Sequence, residues 1–247
     1  MPGEGSVNKN RVYILDAVRG VAVCGMILHH GYVLLNFTKG VTFDFFSSTL
    51  FEVLQMIFVA AFLLVSGICT NYSRSVARRG AVVFGAAIII TLATAVVLPL
   101  VGITGLEIYF GILHMFGLSM LLYACLRPLL ERCNPIALSV ISVLLFIAQY
   151  IWMEYVPFVE DPYNIFMIFG FPSREFYSAD YYPLFPYFFM FIAGTAIGRP
   201  IKAGTFPEWF YRARLPFFEF VGRHSLVIYL LHQPIIFGLI MLLGLFV

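Results

Sequence analysis

Charge is what this 247-residue chain has least of: 15 Lys and Arg with 13 Asp and Glu make up 11% of it, against about a quarter in an ordinary soluble domain. That scarcity, beside 61% hydrophobic residues, excludes a water-soluble globular protein and makes the bilayer the solvent. Cysteine is sparse too. The four (Cys24, Cys69, Cys125, Cys133) form no CxxC pair and no close pairing with histidines, so no metal site and no disulfide scaffold is expected. Internal repeats and low-complexity tracts are lacking. No small-residue cleavage site follows the first apolar run, so that run is expected to stay as a helix rather than leave as a signal peptide.

What is present is a series of apolar runs long enough to span the hydrocarbon. Runs of about 20 residues do so as helices, and they fall at about 12–35, 51–70, 81–101, 107–126, 136–156, 183–201 and 223–246. The expected fold is an all-α polytopic transmembrane bundle of about seven helices, one domain over 11–247 behind a loose tail at 1–10. With the N-terminus in the cytoplasm, 13 basic residues fall inside and only Lys39 and Arg174 outside, which is the asymmetry the positive-inside rule requires. Asp44, Glu52, Glu107, Glu154, Glu160, Asp161, Glu175 and Asp180 fall outside. The net charge of +2 therefore hides a basic inner face and an acidic outer one, and nucleic acid is not needed to explain the basic side.

Two connections are more than links. The outer one, residues 157–182, has an apolar centre at Ile165–Phe171 that is too short to span, and non-helical backbone at membrane depth is tolerated only when buried in protein or lining a cavity. It reads as a re-entrant or interfacial lid. The inner one, Arg199–Gly222, sets Trp209, Phe210 and Tyr211 beside Arg212 and Arg214, a mixture that favours the headgroup plane.

Against this apolar background the stretch LDAVRGVAVCGMILHH, residues 15–30, stands out. Ionisable groups inside such a run cost roughly 2.5–3.5 kcal/mol each and are normally turned inward and tied to function. Arg19 and His30 are eleven residues apart, about 20° past three full turns and about 16 Å in rise, so they share a face. Asp16 lies on the same side, whereas His29 points about 80° away from His30's stripe. A structural ion pair for Asp16 and Arg19 is the plain alternative, as is a packing role for the histidine. In the fourth run His114 is flanked by Gly111 and Gly117, spacing that lets a ligand come close to the imidazole or simply lets another helix pack. The last run sets Ser225, Tyr229 and His232 on one face, with Pro234 freeing a carbonyl nearby. GTAIG at 194–198 is a small-residue packing face.

The blocks LD-x₂-RG-x₉-H, FGILHMFGLS, DYYPLFPYFFMFIAGTAIGR and GRHSLVIYLLHQPI, in that order over residues 11–237, resemble bacterial relatives of the heparan-α-glucosaminide N-acetyltransferase catalytic domain, within the wider acyltransferase-3-like group of membrane acyltransferases. The resemblance implies transfer of an acetyl group from cytoplasmic acetyl-CoA to an extracytoplasmic acceptor, with the family's arginine and histidine falling on Arg19 and His30. Where relatives often carry an acid a few residues after that histidine, this chain has Tyr32, Val33, Leu34 and Leu35.

The chemistry suits the residues. Acyl transfer needs a base for an incoming amine or hydroxyl, a task that fits histidine, and donors for the oxyanion, for which His114 and His232 are candidates. Asp16 and Arg19 complete the expected catalytic set. The phosphates of acetyl-CoA would find Arg74, Arg78, Arg79 and Arg223 at the inner rim, although basic residues at a cytoplasmic edge are common in any membrane protein. The expected partners are acetyl-CoA as acyl donor, a glycan or amino-sugar acceptor, membrane lipids and a second copy of the chain, with no metal and no nucleic acid, in a bacterial inner membrane. The rival class is a transporter or proton-conducting channel, because intramembrane histidines and an Asp–Arg pair serve a proton relay equally well.

Overall fold

The computed structural model describes residues 11–153, 155 and 165–242. The expected tail at 1–10, the first part of the lid at 157–164 and the end of the seventh run lie outside the described residues. Those described form helices and no strand: α1 Tyr13–Lys39, α2 Thr49–Thr70, α3 Val76–Leu100, α4 Ile112–Leu130, α5 Pro135–Met153, α6 Leu184–Ala203, α7 Pro216–Arg223 and α8 Ser225–Leu242. The first six are long and apolar enough to cross a membrane, and α7 with α8, bent by 84°, makes a seventh if the two parts form one span.

Several boundaries differ from those expected, each for a local reason. Helix α1 runs on to Lys39, where Gly40 ends it in the left-handed region (φ 64°) that glycine adopts without steric cost. Helix α3 starts at Val76 because Ser75 Oγ accepts the Arg78 N–H at 3.3 Å, an N-cap. Near its far end it widens into a π turn at Ala93–Val97, just before Pro99, whose ring crowds the carbonyl four residues back. The fourth helix begins at Ile112 rather than near 107 because the preceding residues pair with another loop: Ala179 N–H donates to Glu107 O (2.8 Å) and Tyr182 N–H to Phe110 O (3.2 Å). The apolar run over 223–246 conceals the break at His224.

The chain divides into two compact units, Met1–Ser66 with Lys202–Val247 and Gly67–Ile201. In the first, α7 crosses α1 with the two backbones nearly touching. A Cβ added at Gly20 would lie against the Phe218 carbonyl, and one at Gly222 against the Asp16 carbonyl. The arrangement is pinned beside the crossing. Glu219, 1% exposed, accepts from Arg214 Nε (2.9 Å), Arg214 NH2 (3.1 Å) and the Leu215 N–H (2.8 Å). The Arg214 guanidinium, held above the usual arginine range by its hydrogen bond to Glu219, lies 3.8 Å over the Tyr13 ring, a cation–π contact. Glu219→Ala leaves the Leu215 N–H and Arg214 without this acceptor; thermal unfolding in detergent is expected to show a midpoint lower by several degrees, with Arg212→Ala, whose exposed partner is Glu208, close to wild type.

The segment expected to lie in the headgroup plane is thus divided. Trp209 in the one-turn helix Glu208–Arg212 is exposed, as are Phe217 and Phe220 of α7, while Val221 and Gly222 turn inward against α1.

In the second unit α3 and α4 run antiparallel, with Gly80 against Met120, Phe84 against Gly117 and Thr91 against His114. Helix α6 is the buried centre: Phe191 is fully enclosed and meets Phe116 and Tyr123 of α4 edge-on, while Ala193 O accepts from Ser139 of α5 at 3.1 Å. Cβ atoms at Gly67 and Gly198 would strike the Phe191 carbonyl and the Ile68 backbone, so GTAIG packs helices. Arg199 donates to the Glu131 and Cys133 carbonyls (2.9 and 3.0 Å), closing the C-terminal end of α4 as a cation does. At the opposite end the described part of the lid holds a single 3₁₀ turn, Ile165–Phe169, with Ile165, Phe166 and Phe169 exposed. Tyr181 Oη donates to Met167 O at 2.6 Å, and burial holds that phenol above its ordinary range.

Candidate functional site

Each sequence-predicted residue can now be placed. Asp16, buried one turn into α1, is gripped from both sides. Its Oδ1 accepts from Arg19 NH2, and its Oδ2 from Arg11 Nε (3.1 Å) and NH2 (2.9 Å). The Asp16–Arg19 pair read from the i, i+3 spacing is formed, and Arg11 is a third member that the sequence reading missed; its signal was a basic residue just ahead of the helix, five positions before the acid. Arg19 Nε is buried with no hydrogen-bond partner among the described residues.

Farther along α1, His30 faces α8. Its Nδ1 lies 2.7 Å from His232 Nε2. The rings are tilted by only 19° with centroids 5.0 Å apart, a distance accounted for by the N···N separation plus a ring radius at each end. They therefore meet edge to edge through their nitrogens rather than face to face. His232 is buried and its Nδ1 sits 2.6 Å from the Tyr229 carbonyl. Pro234 was expected to free a carbonyl in this turn, and the one His232 takes is its neighbour three residues back. Gln233, also overlooked from sequence, brings its amide to 3.4 Å from His30 Nδ1. His29 turns away as its helical position required and rests against Phe51, centroids 5.2 Å apart.

His114 belongs to the second unit, where both of its nitrogens are engaged. Nδ1 accepts the Gly111 N–H at 3.2 Å, so the proton is on Nε2, which donates to Thr91 Oγ1 at 3.1 Å. Phe84 and Phe110 flank the ring. The glycines on either side do admit close neighbours, and protein fills both places: Phe84 at Gly117 and the Asp180 carboxylate at Gly111. Asp180, buried, also accepts the Ile112 N–H at 3.1 Å, an anion at a helix N-terminus. The geometry is that of a helix cap.

The arginines expected at the inner rim are exposed. Arg74, Arg78 and Arg79 surround the start of α3 in the second unit. Arg223 closes α7 in the first, its Nε donating to Glu219 O at 3.2 Å.

Helices long enough to cross a bilayer, with an Asp–Arg cluster on α1 and a histidine pair joining α1 to α8, define a polytopic membrane protein with a polar site among its helices. The chain belongs to the family described as heparan-alpha-glucosaminide N-acetyltransferase, catalytic, whose model matches residues 11–234. It is an integral membrane protein of an acetyltransferase family. No curated protein and no solved structure matches the chain.

Proposed function

We propose that the protein moves an acetyl group from cytoplasmic acetyl-CoA to an amine or hydroxyl of an extracytoplasmic acceptor, a sugar or amino sugar, with His30 as the base. The observation that carries this reading is the state of His30: half-buried on α1 and tied through Nδ1 alone, with no group hydrogen-bonded to Nε2 among the described residues. A base in that setting takes the acceptor's proton as the acceptor attacks the thioester carbonyl; the C–S bond then breaks and the CoA thiolate recovers the proton. Arg11 and Arg19 share the single carboxylate of Asp16, so the cluster at the start of α1 keeps one net positive charge. Arg74, Arg78, Arg79 and Arg223 are the candidate holders of the CoA phosphates. His114 acts as the cap of α4 in this scheme and leaves the chemistry to His30. The family match runs through both units, which supports one domain over 11–247.

Purified protein in detergent, given acetyl-CoA and a panel of amino sugars and neutral sugars, is expected to release CoA and form an acetylated product. Proton flux across proteoliposomes without any transfer would sustain the transporter class instead.

The orientation, N-terminus inside, follows the positive-inside asymmetry. The second unit carries the same polarity by itself, with Arg74, Arg78, Arg79, Arg127, Arg132 and Arg199 at one end of its helices and Glu107, Glu175 and Asp180 at the other. Cysteines placed at the exposed Ala77 and Ala179, with native Cys125 and Cys133 changed to serine, test it. In intact cells an impermeant thiol reagent is expected to label position 179 and spare 77; the reverse result would invert the scheme.

A further inference from the structure

Two histidines that meet through their nitrogens raise a question of protons, and the neighbouring backbone answers it. A carbonyl oxygen only accepts, so His232 Nδ1, 2.6 Å from Tyr229 O, carries a hydrogen and donates it there. Neutral imidazole has one N–H, which leaves His232 Nε2 a bare acceptor. His30 Nδ1, 2.7 Å from that lone pair, is then the donor. The reactive lone pair of His30 is consequently on Nε2. Gln233 fits the same arrangement once its amide is turned, so that Oε1 rather than Nε2 faces the Nδ1–H at 3.4 Å; oxygen and nitrogen of an amide are assigned from the hydrogen-bond network, and here the network asks for oxygen.

We propose that His232 is a positioning residue: the ordered chain from the Tyr229 carbonyl through His232 to His30 holds His30 in the one tautomer whose Nε2 can act as a base. The inference rests on the acyl-transfer reading above. An isolated imidazole interchanges its tautomers through water and favours the proton on Nε2, the form useless for a base at that atom. Within an apolar bundle, where no bulk water offers alternative partners, the neighbouring ring decides. The chain also serves the charged intermediate. When the acceptor's proton arrives at Nε2, His30 becomes an imidazolium whose Nδ1–H already points at the His232 lone pair, and the positive charge is drawn toward a ring that donates to a carbonyl dipole. As the C–S bond breaks, the thiolate takes the proton from Nε2, and the pair returns to its starting state with no other proton moved. This arrangement supplies from α8 a partner for His30 that Tyr32, Val33, Leu34 and Leu35 on its own helix do not.

The test joins spectroscopy to kinetics on the full chain. Protein labelled with ¹⁵N-histidine, in detergent at about pH 8, above the usual histidine range, is expected to show protonated Nδ1 and bare Nε2 for both His30 and His232, assigned by single histidine replacements. His232→Ala is expected to lower kcat by about 10²-fold or more, with KM for acetyl-CoA little changed, and to move the His30 proton toward Nε2. His232→Gln, whose amide oxygen can accept from the His30 Nδ1–H, is expected to recover much of the rate and restore the Nδ1–H signal. A wild-type His30 with its proton on Nε2 overturns the inference, and this spectrum is decisive even if a His232 variant fails to fold. So does a His232→Ala enzyme with unchanged kcat while His30→Ala is dead, a result that leaves the acyl-transfer reading standing. Full activity in His30→Ala would remove that reading and the inference together.

Discussion

His30→Ala is expected to reduce acetyl transfer by about 10³-fold or more, within the span that a positioned acid–base group contributes, while His29→Ala keeps most of the activity. The two residues are adjacent in sequence and chemically identical, so the comparison isolates geometry. His30 is joined to His232 and its Nε2 has no hydrogen-bond partner among the described residues; His29 rests against Phe51 and is not a member of that His30–His232 hydrogen bond. Loss of the His30 ring leaves the buried His232 Nε2 without its donor, a destabilisation of about 1–3 kcal/mol. Thermal unfolding and acetyl-CoA binding measured beside the rate separate that effect from chemistry: the unfolding midpoint is expected to fall by a few degrees, while acetyl-CoA binding stays near wild type. An inactive His29→Ala beside an active His30→Ala would mean that the reacting group is on the other face of α1.

The largest expected effect on folding belongs to a glycine. A Cβ at Gly222 would sit 2.7 Å from the Asp16 carbonyl carbon and 3.0 Å from Gly20 N, and both are backbone atoms of α1 that cannot swing aside as a side chain would. Ordinary overpacking costs about 1–3 kcal/mol, and this contact adds displacement of a whole helix. Gly222→Ala is expected to lower the unfolding midpoint sharply, and Gly222→Val to prevent accumulation of folded protein in the membrane. Gly31→Ala supplies the control. It lies on α1 too, and a Cβ there meets nothing within 4 Å, so it is expected to be neutral or slightly stabilising. Equal behaviour of the alanine variants at 222 and 31 would show that the α1–α7 crossing does not need the glycine.

Much of the architecture was written in local pattern. The apolar runs located the spans to within a few residues, and helical periodicity separated His29 from His30 and joined Asp16 to Arg19. What stayed hidden was partnership. Periodicity tells which face a residue occupies, never which distant helix covers that face, so His30 against His232 was out of reach although both residues were singled out. The bend at His224 was masked because its flanks are equally apolar. Asp180 was read only as part of the acidic outer face, and Glu219 gave no signal; each is buried and accepts a backbone N–H at a helix start, a role set by tertiary placement. His114 drew attention for its glycines, and the structure sets Phe84 against Gly117 and Asp180 against Gly111, neighbours that local pattern could not name.

The division of the chain into a continuous stretch, Gly67–Ile201, and a unit assembled from both sides of it carries a consequence for biosynthesis. Gly67–Ile201 has all its parts once its own length has left the ribosome. The histidine pair does not, because its members stand 202 residues apart. At about 5–20 residues per second, α1 waits about 10–40 s in the bilayer, its Asp–Arg cluster and imidazole already inserted, before α7 and α8 arrive to cover it. During that interval Gly20 offers an open notch and His30 lacks its partner. On the proposed scheme, competence for chemistry is conferred by the last helices to be made, and a nascent chain stalled before them holds an imidazole that has not yet been given its orientation.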